Sequence, residues 1–284
     1  MSESRKSSQP DRLKNLLFKF IENSKDNEFE IRFGTKGIKR IDKNSFDNVV
    51  QYLKSKGFNP EPENTTLKIR SEFTDPKTGR SRISNVRTEV NGKFNVREVC
   101  KNKTNSPMDK ESVRFGIDFV QKSSYRNKDG TTLRPVDFDD FNFRATLQAE
   151  KKMSTSSGLV RQLLSDWDDK KKFFRLVNRY SFTSSNVSSI RVDMSVVQSS
   201  KKNVKGNIIP TYNIRESEIF NSPKIYEIEI EVVPSSLYTK EAILTELRNT
   251  IKYVLCGLQQ TNYPISYTEM RDVATEYMKM IYGE

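Results

Sequence analysis

Apolar and polar residues alternate at period two through much of this chain. In residues 224–233, "KIYEIEIEVV", Tyr226, Ile228, Ile230 and Val232 alternate with Glu227, Glu229 and Glu231. Read as a strand, that stretch has one apolar face and one face of three carboxylates. Residues 27–35, "NEFEIRFGT", repeat the pattern, with Phe29, Ile31 and Phe33 on one side and Glu28, Glu30 and Arg32 on the other. "TLKIRSEF" and "SRISNVRTEV" flank the turn-like "TDPKTG" and read as a hairpin. "KFNVREVCKN", "VRFGIDFVQ", "FNFRATLQAEKK", "KFFRLVNRYSF" and "SIRVDMSVVQ" read as further strands. Apolar spacing of three and four instead predicts helices over 11–22, capped by Asp11, over 44–56, stopped by Gly57, and over 239–258. "GLVRQLLSDW" reads as a short helix containing Trp167, and Ser266 with Glu269 as a capping box opening a last helix to Tyr282. So many consecutive strands with few helices between them predict an α+β fold, mainly antiparallel β, as a sheet or barrel.

Composition narrows the chemistry. Of 284 residues, 34% are apolar, and Phe (17) and Tyr (11) supply much of the core. No stretch approaches the roughly 18 apolar residues of a membrane span, and no signal-peptide pattern opens the chain. The formal net charge is +12, which suits a polyanionic partner such as nucleic acid or polyphosphate. Histidine is absent, which removes serine–histidine and cysteine–histidine catalysis and imidazole metal sites. Two cysteines, Cys100 and Cys256, cannot make a four-cysteine zinc site and read as reduced thiols of a cytoplasmic, non-secreted protein. Carboxylates are then the main ligands on offer, and they favour hard cations, Mg²⁺ or Mn²⁺.

The polar faces carry the candidate chemistry. Glu28 and Glu30 share a face, as do Glu227, Glu229 and Glu231. Two carboxylates about 4 Å apart repel by about 4 kcal/mol at an effective dielectric near 20. Such a cluster turned inward needs protonation or a divalent cation. Other strands carry arginine: Arg175 with Arg179, Arg191 with Asp193, and Arg144 with Glu150, each set on one face. Arg70, Arg87 and Arg114 lie on strand-like stretches too. Surface sheets also alternate Arg and Glu in weakly stabilising cross-strand pairs. Three glutamates in register without an intervening lysine fit a surface less well than an interior facing a cation.

"EFEIRFG" and "YEIEIEVV" resemble the first and last metal-binding motifs of the tunnel-type, divalent-cation-dependent RNA triphosphatases of the mRNA capping machinery, found in fungi, protists and large DNA viruses. "FRLVNRYSF" and "IRVDMS" resemble that family's arginine strands, and the similarity spans roughly residues 26–235. The resemblance implies an eight-stranded closed β tunnel with flanking helices that removes the γ-phosphate of 5′-triphosphate RNA by in-line attack of water. It implies Glu28, Glu30, Glu229 and Glu231 as ligands of Mg²⁺ or Mn²⁺, with Glu227 on the metal or on the attacking water. It implies Arg175, Arg179 and Arg191 on phosphate oxygens, Asp193 positioning one of them, and Glu150 on water or metal. Arg32, Arg70, Arg87, Arg114 and Arg144 are its weaker substrate-binding candidates. The tail "QQTNYPISYTEMRDVATEYMKMI" resembles the segment joining this domain to a guanylyltransferase in large viral capping enzymes, ahead of a methyltransferase.

That gives an arm and helix over 1–25, a tunnel domain with a C-terminal packing helix over 26–258, and a linker with the start of a following region over 259–284. A viral origin would place it in the cytoplasmic factory or the virion. Guanylyl transfer itself needs Lys-x-Asp-Gly, and "NKDG" at 127–130 has the wrong spacing and a turn-like setting. Two alternatives stand beside this reading. One is hydrolysis of free NTP or another inorganic or organic triphosphate. The other is a non-catalytic RNA-binding β-domain in which Phe173, Phe174 and Tyr180 stack on bases.

Overall fold

The computed structural model describes residues 8–34, 40–74, 78–101 and 116–283. Ten strands are present among them: β1 (Asn27–Phe33), β2 (Asn59–Pro60), β3 (Asn64–Thr74), β4 (Ser81–Asn91), β5 (Ile117–Ser124), β6 (Val136–Phe138), β7 (Phe143–Met153), β8 (Lys172–Thr183), β9 (Ile190–Ser199) and β10 (Ile225–Val232). Hydrogen bonding runs β1-β10-β9-β8-β3-β4-β5-β7, and β7 pairs back to β1, closing an eight-stranded antiparallel barrel. β2 adds to the end of β8 and β6 to the start of β7. The expected closed tunnel with flanking helices is therefore present, and no described helix is long and apolar enough to cross a membrane.

The barrel is apolar outside and polar inside, because helices rather than side chains from across the ring cover its apolar faces. Phe29, Ile31 and Phe33 of β1, Ile228 and Ile230 of β10, and Val192 and Met194 of β9 pack under three helices. These are α1 (Gln9–Glu22), α2 (Lys43–Ser55) and α5 (Lys240–Gln259), which supply Leu17 and Phe20, Val49 and Leu53, and Leu247 and Val254. A second cluster joins Leu67, Ile69, Phe174 and Trp167 to Val96 and Val99 of α3 (Lys93–Lys101) and to Ile214 and Ile219. α4 (Gly158–Ser165) seats Val160 against Val86 and Phe119. Burying the apolar face of each strand forces its polar face inward, since successive side chains point to opposite sides.

Helix ends follow local chemistry. Asp42, Thr239 and Ser266 cap α2, α5 and α6 (Tyr267–Tyr282) by accepting backbone N–H bonds. Three expectations need correction. Ser8, not Asp11, caps α1: its hydroxyl accepts from the Asp11 N–H at 3.3 Å, which puts Asp11 in the first turn. The "KFNVREVCK" stretch is helix α3, not a strand. Gly92 (φ +90°) ends β4 there, and Val96 and Val99 bury at helical spacing while Phe94 is exposed. The short helix holding "GLVRQLLS" stops at Ser165, and Trp167 is buried in the turn beyond it. The 127–130 stretch is a turn closed by Gly130 N–H donating to the Asn127 carbonyl, as its glycine at φ +80° allows. Both cysteines are free thiols, Cys256 buried and Cys100 half-buried.

Candidate functional site

Closure of the barrel brings the two ends of the chain side by side. β1 and β10 are neighbours, with Glu30 opposite Glu231 and Arg32 opposite Glu229. β10 in turn sets Glu229 opposite Asp193 and Glu231 opposite Arg191 on β9. β7 sets Gln148 opposite Glu28 and Thr146 opposite Glu30. The glutamates separated by two hundred positions in sequence thus share one wall of the tunnel.

Each acid is met by cations. Arg32 reaches Glu229 at 2.5 Å and Glu30 at 3.5 Å, and the Thr146 hydroxyl donates to Glu30 at 3.3 Å. Arg191 reaches Glu231 at 2.5 Å, and Arg175 pairs with Glu227. Asp193, almost wholly buried, accepts from Arg179 at 2.7 Å, from Arg191 at 3.0 Å and from the Ser181 hydroxyl at 2.7 Å. It orients two arginines, not one. Arg87 lies 2.5 Å from Glu89 and 3.5 Å from Glu150, and Lys122 bridges Glu28 and Glu150.

These pairings tune the charge states. Burial pushes Glu229 up, and Arg32, Arg179, Lys68 and Arg175 outweigh it and hold the carboxyl below its usual range. Burial also pulls Arg32 down, and Glu229, Glu30 and Glu227 more than reverse that. Glu28 behaves differently. Burial raises it to about 7, with Lys122 opposing and Glu30 and Glu150 adding to the rise. Glu231 is raised by burial too, against Arg191 and with Asp193. The β1–β10 wall is therefore an acid-rich place where two carboxyls lack enough positive charge. Arg70 is the opposite case, lowered by burial and by its neighbours Arg87 and Arg175, a place with surplus positive charge.

Of the remaining candidates, Arg144 stands apart, held by Asp137 of β6 at 2.6 Å. Arg114 lies outside the described residues. The stacking alternative loses Phe174, which is buried in the outer core; Phe173 shares the face of Arg175, and Tyr180 is exposed on the outer face. Three interior residues escaped the sequence reading: Lys68, Glu89 and Lys122. Each lies two residues from a position on an inward face, Lys68 from Arg70 and Glu89 from Arg87, so alternation alone could have found those two. Lys122 pairs with Glu150 across β5 and β7, which only the register reveals.

Among the described residues, no three acidic or cysteine side chains converge as a metal-ligating cluster. Their carboxylates are spread onto arginine and lysine partners, as mutual repulsion requires. The donor set still fits a hard divalent cation: it is all oxygen, lies on one wall, and includes two carboxyls held above their ordinary pKa.

No family model and no curated protein matches the sequence. Solved structures do. The chain is similar to the RNA triphosphatase domain of a trifunctional mimivirus mRNA capping enzyme at 17% identity, over 89% of this chain and 99% of that one, with a TM-score of 0.54. A triclinic structure of the mimivirus capping enzyme triphosphatase gives 17% identity over 88% and 98%, with a TM-score of 0.53. The fold is the triphosphate tunnel. At this identity the likeness fixes the path of the strands and the closure of the tunnel, and the polar lining is this chain's own.

Proposed function

We propose that this tunnel is a divalent-cation-dependent RNA 5′-triphosphatase that removes the γ-phosphate from 5′-triphosphate RNA. One observation carries the reading: Glu28 and Glu30 from the start of the chain and Glu229 and Glu231 from its far end line one wall, with Arg175, Arg179 and Arg191 beside them. Glu28, Glu30, Glu229 and Glu231 would hold Mg²⁺ or Mn²⁺. A bound cation supplies charge neutralisation of the γ-phosphoryl oxygens and lowers the pKa of a coordinated water.

The chain's own groups do the rest. Arg179 and Arg191, locked by Asp193, present guanidinium N–H groups to phosphate oxygens without reorganising, and Arg175 and Arg87 extend that row. Arg32, between Glu30 and Glu229, would keep the Glu229 carboxylate ionised for the cation. Glu150, held by Lys122, would help bind water or metal, and Glu227, paired with Arg175, would orient the attacking water. Its oxygen bonds to phosphorus, the bond to the β-phosphate oxygen breaks, and inorganic phosphate leaves a 5′-diphosphate end.

A 5′-diphosphate end is the substrate of guanylyl transfer, so a guanylyltransferase and a methyltransferase following residue 284 are the proposed partners. A natural gene product ending near Glu284 would overturn that fusion. The assay for the main reading is γ-phosphate release from triphosphate-ended RNA with Mg²⁺, Mn²⁺ or EDTA. Release requires the cation, and Glu30→Ala and Glu229→Ala abolish it with the circular-dichroism melt nearly unchanged. Release that persists in EDTA refutes the metal role, and full activity in both variants refutes the site.

A further inference from the structure

The tunnel's two ends are bordered by different connections. At one end lie 184–189 and 233–239, which hold no charged residue, 57–63, which holds Glu61 and Glu63, and the passage from β4 into α3, which holds Lys93, Arg97, Glu98 and Lys101. Lys25 and Asp26 before β1 offset each other. At the other end β9 stops, β10 begins and β8 begins, and residues 200–224 form a strap across them. The strap's two acids are engaged internally, Glu218 by Lys201 at 2.6 Å and Glu216 by the Tyr212 N–H at 3.2 Å and by Asn213. Lys202, Lys205, Arg215 and Lys224 are exposed and have no acidic partner among the described residues. Interior residues toward this end include Arg70, which has Arg87 and Arg175 as neighbours, and Glu227, which pairs with Arg175.

Two aromatic rings stand out of the strap while their backbones are fixed. Tyr212 is 49% and Phe220 57% exposed. The Tyr212 carbonyl accepts from the buried Lys172 ammonium at 3.2 Å, and the neighbouring Thr211 exchanges both backbone bonds with Lys172 at 2.7 and 3.0 Å. The Phe220 carbonyl accepts from Gln198 of β9 at 3.1 Å. Ile214 and Ile219 anchor the strap in the outer core. The Lys171 ammonium sits 5.6 Å from the centre of the Tyr212 ring. Exposed rings on a rigid backbone, interleaved with unpaired cations, form a stacking platform for single-stranded nucleic acid.

We propose that the nucleotides just 3′ of the triphosphate dock on this strap, so that the polyanion enters at the 200–224 end and the strap selects RNA over free nucleoside triphosphate. This rests on the triphosphatase reading and adds a substrate-selecting surface to it. The test compares the full chain with Tyr212→Ala/Phe220→Ala and with Lys202→Glu/Lys205→Glu. Tyr212 and Phe220 are held through main-chain carbonyls, which alanine retains.

Each double variant raises KM for triphosphate-ended RNA about tenfold while kcat/KM for ATP stays within about twofold. Anisotropy of a labelled triphosphate RNA of about ten nucleotides, measured without divalent cation, shows the same weakening. RNA and ATP constants that move together, or that both stay fixed, overturn the proposal, as does a polyglutamate peptide that displaces the RNA at equal concentration. A wild-type chain that hydrolyses neither substrate refutes the triphosphatase reading instead, and the anisotropy series still decides whether the strap binds RNA.

Discussion

Lys172 shows how one residue's surroundings set its chemistry. It heads β8, is fully buried, and has its ammonium 5.1 Å from the centre of the Trp167 ring while donating to the carbonyls of Lys170 and Tyr212. Burial lowers its pKa to about 8, and Asp168, Asp169 and Glu216 offset this only in part. The unfolded chain then binds more protons than the folded chain between about pH 8 and 10.4. Stability attributable to this group therefore rises with pH across that window, and its cost is fully present below pH 8. Between pH 7.5 and 9.5 the wild type gains on the order of 1–2 kcal/mol relative to Lys172→Met. Urea unfolding followed by the fluorescence of Trp167, the chain's single tryptophan, measures it. Equal pH dependence in both proteins refutes the assignment. Nothing in the sequence marked Lys172, because a lysine opening a strand reads as solvated until the strap closes over it. Glu28, by contrast, was legible: its alternation with Phe29 and Ile31 placed it opposite the core, although its pairing with Lys122 required the closed ring.

Elements were legible where one physical signal governed them. α5 shows apolar residues at helical spacing and a threonine cap, and it forms as its pattern predicts. α3 did not, because a nine-residue stretch with Phe94, Val96 and Val99 satisfies both periods, and the packing of Val96 and Val99 against β3 and β4 decided between them. How closely two elements approach was not written in either alone. α5 lies so near α2 that a Cβ added at Gly257 would stand 2.8 Å from Val49 Cα and 3.0 Å from its Cγ2. Gly257→Ala therefore destabilises the protein by about 1–3 kcal/mol through overpacking, despite alanine's better helix propensity. A chemical denaturation midpoint that rises in this variant would show that the helices can part without penalty.

At the scale of the molecule the surplus of cations lies outside the tunnel. The tunnel balances its acids against its bases, and the net charge of +12 falls outside it, with Lys202, Lys205, Arg215 and Lys224 gathered at one end. Four phosphate contacts in single-stranded RNA give a logarithmic salt slope near −3. Raising KCl from about 50 to about 200 mM should thus raise KM for RNA on the order of ten- to fiftyfold, with a smaller rise for ATP. Parallel salt dependence for the two substrates would place the RNA contacts elsewhere. The sequence by itself determined which residues of a strand face which way, since a period-two pattern fixes the face of every side chain on it, and its lack of histidine excluded imidazole chemistry outright. Only the tertiary structure decided which faces meet. Closure of β1 on β7 and β10 depends on pairings between residues far apart in the chain, whose register is set by burying apolar faces under α1, α2 and α5. That closure made one acidic wall out of two distant strands and set Arg32 between Glu30 and Glu229.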